Sequence, residues 1–177
     1  MKKLFCIILT LALLLPVLTG CKAMDEKKIE KLLACQFKSL VGIATRDELR
    51  STRTEAYWES REGTPGDFEK MAENGGLAAS AATVEGEDRI DPRASLAEEY
   101  GENIEVTAEV TEMEKVDIKD YHEDKFKRAY PYLELKDVDA AYSVKYIITI
   151  KGSKKTLELQ EASNPMIIKV DGNWYIQ

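Results

Sequence analysis

From Asp25 onward the apolar residues Ile29, Leu32, Leu33, Phe37, Leu40, Ile43 and Ala44 recur at three- and four-residue steps. That spacing gathers side chains on one face of a helix. Lys27, Lys28, Glu30 and Lys31 fill much of the remaining surface, and Cys35 falls at the edge of the stripe. Thr45 and Glu48 have the spacing of a capping box, in which hydroxyl and carboxylate each satisfy a backbone N–H at a helix start. A second helix is predicted from there to about Arg61, ended by Gly63, Pro65 and Gly66. Residues 67–74 read as a short helix stopped by Gly75-Gly76, and 77–91 as a loop or short extended segment. Asp91-Pro92 supplies a cap and a first-turn proline, and Gly101 a stop, for a helix of about two turns.

After Gly101 the period changes from helical to alternating. Ile104, Val106, Ala108 and Val110 interleave with Glu105, Thr107, Glu109 and Thr111, the pattern of a half-buried strand. Residues 118–130, with Tyr121, Phe126 and Tyr130, read as a helix ended by Pro131. Tyr142, Val144, Tyr146, Ile148 and Ile150 then alternate with Ser143, Lys145, Ile147 and Thr149. A Gly152-Ser153 turn leads to a strand carrying Thr156, Leu157 and Leu159. Pro165 precedes an extended Met166 to Val170, and Asp171-Gly172-Asn173 turns the chain into Trp174-Tyr175-Ile176. Such short connections pair strands antiparallel. Helices first and strands afterwards predict an α+β fold, with N-terminal helices packed on one face of a curved, mainly antiparallel sheet. This order, with the ending Val170-Asp171-Gly172-Asn173-Trp174-Tyr175-Ile176, resembles small lipoproteins of the NTF2-like, cystatin-like group. The resemblance implies a cone-shaped domain with an early strand, and residues 77–91, where that strand would fall, depart from it.

The first twenty residues carry a different pattern. Lys2 and Lys3 precede an apolar run from Leu4 to Leu18, broken only by Thr10, which closes on Thr19-Gly20. This is the layout of a secretory signal. At about 1.5 Å per residue the run falls short of the roughly 30 Å hydrocarbon thickness, and Pro16 would disturb its end. Leu18-Thr19-Gly20-Cys21 resembles the lipobox of bacterial lipoprotein precursors. The resemblance implies cleavage between Gly20 and Cys21, an S-diacylglyceryl group on Cys21, and an optional acyl chain on the freed amine. Residues 1–20 are then a cleaved signal peptide and 21–177 a single α+β domain lipid-anchored on the extracytoplasmic face of the cell membrane, with the outer membrane as the alternative for a Gram-negative source. Two acyl chains hold a protein where one holds it marginally.

Cleavage leaves 157 residues, enough for one domain with a real core. It removes two lysines and no acid, leaving 23 basic against 32 acidic residues, a net charge of −9. A surface so acidic, without a basic stretch, is a poor partner for nucleic acid. Cys6 leaves with the signal and Cys21 takes the lipid, so Cys35 is the one free thiol, expected as a buried apolar residue.

Catalytic chemistry is hard to assemble from these residues. His122 is the single histidine, and His122-Glu123 has no second histidine at four-residue spacing, so neither a zinc site nor any other metal site is expected. No Gly-x-Ser-x-Gly elbow, Walker loop or Gly-x-Gly-x-x-Gly segment is present, and no cofactor is expected. An acid base of the ketosteroid-isomerase kind would need Asp137, Asp139 or Glu158 inside an apolar pocket beside Tyr132 or Tyr142. Arg46, Arg50 and Arg53 share a side of the second helix with Asp47, Glu48 and Glu55, the makings of an ordinary mixed face. Tyr57-Trp58 reads as packing. The expectation is a non-enzymatic domain, tethered to membrane lipid through Cys21, that binds a small ligand or an envelope protein in the concavity between helices and sheet. The alternatives are a structural or regulatory envelope subunit and a small isomerase- or dehydratase-type enzyme. With no long tether after Cys21, the domain should work close to the headgroups.

Overall fold

Helix α1 (24–40) forms where the apolar stripe begins, and Ile29, Leu32 and Leu33 are its buried contacts with the sheet. A computed structural model describes residues 24–64, 67–73, 92–118, 126–127, 130–160 and 165–176. The helix stops earlier than its stripe suggests. Gly42 takes the left-handed conformation at φ 78°, its N–H reaches the Ser39 carbonyl, and the Ile43 N–H reaches that of Lys38. This pair of bonds satisfies carbonyls that the helix end would otherwise leave open. Leu40, on the last turn of the helix, is 48% exposed rather than part of the core, a correction to the stripe, since the chain turns away two residues later. Ile43 and Ala44 pack from the following loop.

The predicted second helix is two. Helix α2 (Arg46–Ser51) starts on the Thr45–Glu48 capping box. Helix α3 (Glu55–Glu59) starts afresh on Thr54, whose hydroxyl accepts the Tyr57 N–H. Between them the Ser51 and Thr52 hydroxyls turn back onto the Glu48 and Leu49 carbonyls, competing with continued helix. Helix α4 (Phe68–Glu73) follows Asp67, whose carboxylate accepts the N–H groups of Gly63 and Glu69. Ala44, Leu49, Trp58, Phe68 and Met71 make a small core of their own. Helix α5 (Pro92–Tyr100) opens on its proline and ends at Gly101, at φ 85°. The expected stop at Gly75-Gly76, the cap at Asp91 and the whole of 77–91 lie outside the described residues, as does most of the helix expected over 118–130, of which 126–127 are helical.

The sheet comprises β1 (Glu105–Lys115), β2 (Ala140–Lys151), β3 (Thr156–Gln160), β4 (Met166–Val170) and β5 (Asn173–Ile176), all paired antiparallel, and it does not close on itself. β2 is central. β1 runs along one of its edges, while β3 and β4 lie end to end on the other, against 147–151 and 140–143, with β5 outermost beside β4. Asp171 and Gly172, at φ 49° and 76°, make the tight turn of the β4–β5 hairpin. The fold is thus α+β, with helices laid against an antiparallel sheet.

Strand alternation divides the sheet into two faces. On the first, Val144, Ile167, Trp174 and Ile176 meet α1, and Val106, Ile148 and Ile150 meet Phe37, Ile43, Leu96 and Tyr100. On the second, Ala141 and Ile168 are covered by Phe126, Leu133 and the partly buried Val116, Tyr132 and Val138 of the long β1–β2 connection. The rest of that face carries exposed Glu105, Thr107, Glu109, Glu112, Glu114, Lys145 and Glu158. β1 skips register between Val110 and Glu112, and near this bulge Glu30 of α1 accepts the Val110 N–H at 3.2 Å. The bond gives an edge-strand donor a partner, which blunts an edge otherwise open to pairing.

Candidate functional site

The concavity between α1 and the sheet is occupied by the side chains that form the core, so the space left open to a ligand beside α1 lies at its margin. α1 is fixed at its first turn by Asp25, whose carboxylate accepts the Trp174 indole N–H at 3.0 Å and approaches the Lys169 ammonium at 3.5 Å. That ammonium sits 5.0 Å over the Trp174 ring, which is tilted against Tyr142 at 5.5 Å. One acid, one base and two aromatic rings therefore lock the start of α1 to β2, β4 and β5.

Beside this lock is a cleft of about 420 Å³. Lys28, Lys31, Leu32 and Cys35 of α1 form one wall, Asp47, Glu48 and Ser51 of α2 another, and Gly172 to Tyr175 of the hairpin a third. It offers cationic and anionic groups and an aromatic floor, a lining suited to a small polar or zwitterionic ligand. Glu48 is already committed: its carboxylate holds the Lys38 ammonium at 2.6 Å and the Thr45 N–H at 2.9 Å. Burial pushes its pKa up, but these bonds outweigh burial and hold it below the usual carboxylate range. Cys35 is buried as expected, and burial, helped by the Glu48 charge, pushes its thiol up. A thiol held in its neutral form is a poor nucleophile.

A second cleft, of about 530 Å³, lies on the other side of the sheet between Lys115 to Ile118, Leu135, and Val138 to Ala141. Asp139 lines it and accepts the Gly172 N–H at 3.2 Å. No tyrosine lines this cleft, and Asp137, Asp139 and Glu158 are all solvent-exposed, so the three acids weighed for catalysis do not meet Tyr132 or Tyr142 in a closed pocket.

The three arginines separate. Arg46 and Arg50 both stack on Phe68 at 5.0 Å and pair with Glu69 and Glu55, an internal brace between α2, α3 and α4. Arg53 lies beyond α2, donates to Gln36 at 2.9 Å and stands 5.6 Å from the Tyr57 ring centroid. Burial pulls its pKa down, opposed by Tyr57 and Tyr132. The same enclosure pushes the Tyr132 phenol up to about 12, burial being the main cause. Tyr57 meets Tyr132 edge-on at 5.3 Å and Trp58 at 5.0 Å, so this cluster joins the small helices to the β1–β2 connection. Tyr57-Trp58 is packing, and the Trp58 indole N–H donates to the Arg50 carbonyl.

Gly20, Cys21 and His122 lie outside the described residues. Among the described residues no group of three or more His, Cys, Asp or Glu side chains is arranged to hold a metal ion, and no helix is long and apolar enough to cross a membrane. The α1–α2–hairpin cleft was not legible in the sequence because it joins 28–35 and 47–51 to 172–175, and the second cleft because it depends on how the β1–β2 connection folds back on the sheet. The one local signal was Trp174 behind the Asp-Gly turn. Comparison with protein-family models, with curated proteins and with solved structures found no match.

Proposed function

We propose that this chain is an extracytoplasmic lipoprotein, held on its membrane through Cys21, whose folded domain is a non-enzymatic binding module taking a small polar ligand or an envelope partner at the α1–α2–hairpin cleft. The observation that carries the binding part is that cleft: it is open, has charges of both signs and an aromatic wall, and contains no activated nucleophile, its thiol being held neutral and its Glu48 already bonded. The anchoring part rests on Leu18-Thr19-Gly20-Cys21 after an apolar core of signal-peptide length. The NTF2-like cone is the fold reading we attach to it, supported by helices laid on one sheet face and by the closing β4–β5 hairpin. A partner-binding role on the sheet surface is the second reading, favoured by the uncovered half of the second face.

Cys21→Ser tests the anchor. The expected result is loss of the acyl mass and a shift of the protein from the membrane to the soluble fraction. Processing at the same site with unchanged membrane attachment refutes it. For the cleft, Lys31→Glu with Trp174→Phe should abolish ligand-induced thermal shifts in a metabolite or peptide screen while leaving the unliganded melting curve cooperative. Hits that persist in this variant place binding elsewhere.

A further inference from the structure

The first two turns of α1 expose a single stripe. Met24 is 61% exposed, and Lys27, Lys28 and Lys31 are exposed with it. Steps of three, one and three residues put these four side chains on one side of a helix, away from Ile29, Leu32 and Leu33, which face the sheet. Two acids of the same turns, Asp25 and Glu30, are directed away from these lysines. Asp25 is drawn to Trp174 and Lys169, Glu30 to the Val110 N–H, and both they and Glu26 are half-buried. Across the cleft from Lys28 and Lys31 stand Asp47 and Glu48 of α2, the first exposed and the second paired with Lys38. A chain whose mature form carries −9 therefore presents three lysines and one long apolar side chain on one small face.

We propose that this face of α1 rests on anionic phospholipid headgroups, with α1 lying along the membrane rather than standing on it. This deepens the lipoprotein reading and rests on it for location. Three residue steps lead from Cys21 to Met24, a span of at most about 11 Å. From Met24 to Lys31 the helix rises about 10 Å. With α1 upright, Lys31 would stand about 10 to 20 Å from the headgroups, beyond the roughly 8 Å screening length at physiological salt. With α1 flat, all three ammonium groups reach the phosphates and Met24 reaches the acyl boundary. Position and charge together select the occupant: with Cys21 acylated, the stripe begins three residue steps from the bilayer, and its ammonium groups are opposite in sign to anionic headgroups. The orientation also sets the mouth of the α1–α2–hairpin cleft, which shares Lys28 and Lys31, at the membrane surface.

The test is lysine acetylation of the full-length expressed protein, purified from membranes and reconstituted into vesicles of phosphatidylcholine alone or with 30% phosphatidylglycerol. Each lysine held near an anionic surface changes partitioning about five-fold. The expected result is a fall of at least about five-fold in acetylation of Lys27, Lys28 and Lys31 on anionic vesicles relative to neutral ones, reversed at 0.5 M NaCl. Lys145, exposed on the sheet face turned away from α1, should react equally on both. Equal reactivity of the stripe on the two vesicles, or protection that salt does not reverse, overturns the proposal. The mass of the N-terminal peptide judges the anchor separately. If Cys21 is unacylated the anchoring reading fails, and the same footprint with added vesicles still decides whether the stripe recognises anionic lipid.

Discussion

Ile167→Ala and Leu40→Ala form a matched pair that tests how the core is built. Both residues continue clear apolar patterns, yet Ile167 is fully buried while Leu40, the last residue of α1, is 48% exposed. Ile167 packs among Ile29, Leu32, Leu33, Val144, Trp174 and Ile176, so its truncation removes three carbons from the centre of the helix–sheet contact. The transfer loss alone is about 2–2.5 kcal/mol at roughly 0.8 kcal/mol per carbon. A cavity bounded by a helix and three strands relaxes little, which raises the cost to about 3–4 kcal/mol. For a domain of this size the melting temperature should fall by about 10 °C, and the urea midpoint by about 1.5–2 M at unchanged slope. Leu40→Ala removes side chain that is half in water, and the better helix propensity of alanine offsets part of the loss, so it should stay within about 0.5–1 kcal/mol. Equal destabilisation by the two variants would refute this packing, and so would an Ile167→Ala cost below about 1 kcal/mol.

Two further outcomes follow from local geometry. A Cβ at Gly152 would stand 2.2 Å from the Tyr100 carbonyl oxygen, backbone against backbone, so Gly152→Ala must push the β2–β3 turn off α5 and should cost about 1–3 kcal/mol with loss of amide protection at Gly101 and Glu102. Gly63→Ala meets nothing within 4 Å and should show the cost of left-handed backbone alone, about 1–2 kcal/mol; a Gly152→Ala protein as protected at these amides as the parent would contradict the close approach. Glu48 has its folded pKa lowered, so its contribution is present above the unfolded value of 4.5 and lost as pH falls through the folded one. The stability gap between parent and Glu48→Gln should therefore be wide at pH 7 and narrow by pH 3, read from urea midpoints, and a gap that does not change with pH would count against the Lys38–Glu48–Thr45 network.

The secondary structure was legible wherever one residue type forces one local outcome. Thr45 and Glu48 closed their capping box, Pro92 opened α5, Gly101 ended it, and Asp171-Gly172 made the final hairpin. The alternation of Tyr142 to Ile150 placed β2 because period two is a property of the strand itself. Gly42 and Thr54 were equally local signals: the first ends α1 at 40, and the second splits the following helix into α2 and α3. An apolar stripe passes through such positions without registering them, since it reports which side chains prefer burial and not where the backbone must turn.

Sequence by itself determined the charge, the signal-like N-terminus with its Cys21, and the order of helices before strands. Tertiary structure alone decided that β3 and β4 share one edge of β2, that the β1–β2 connection covers half of the second sheet face, and that Arg46 and Arg50 brace Phe68 while Arg53 turns to the tyrosines. It also decided which charges of α1 face solvent. Asp25 and Glu30 find partners 149 and 80 residues away, and their withdrawal leaves the lysines exposed. Local pattern fixes what each segment is because propensity and capping act within a few residues. Pairing across long separations depends on which surfaces can be buried together, and that is settled by the whole chain at once.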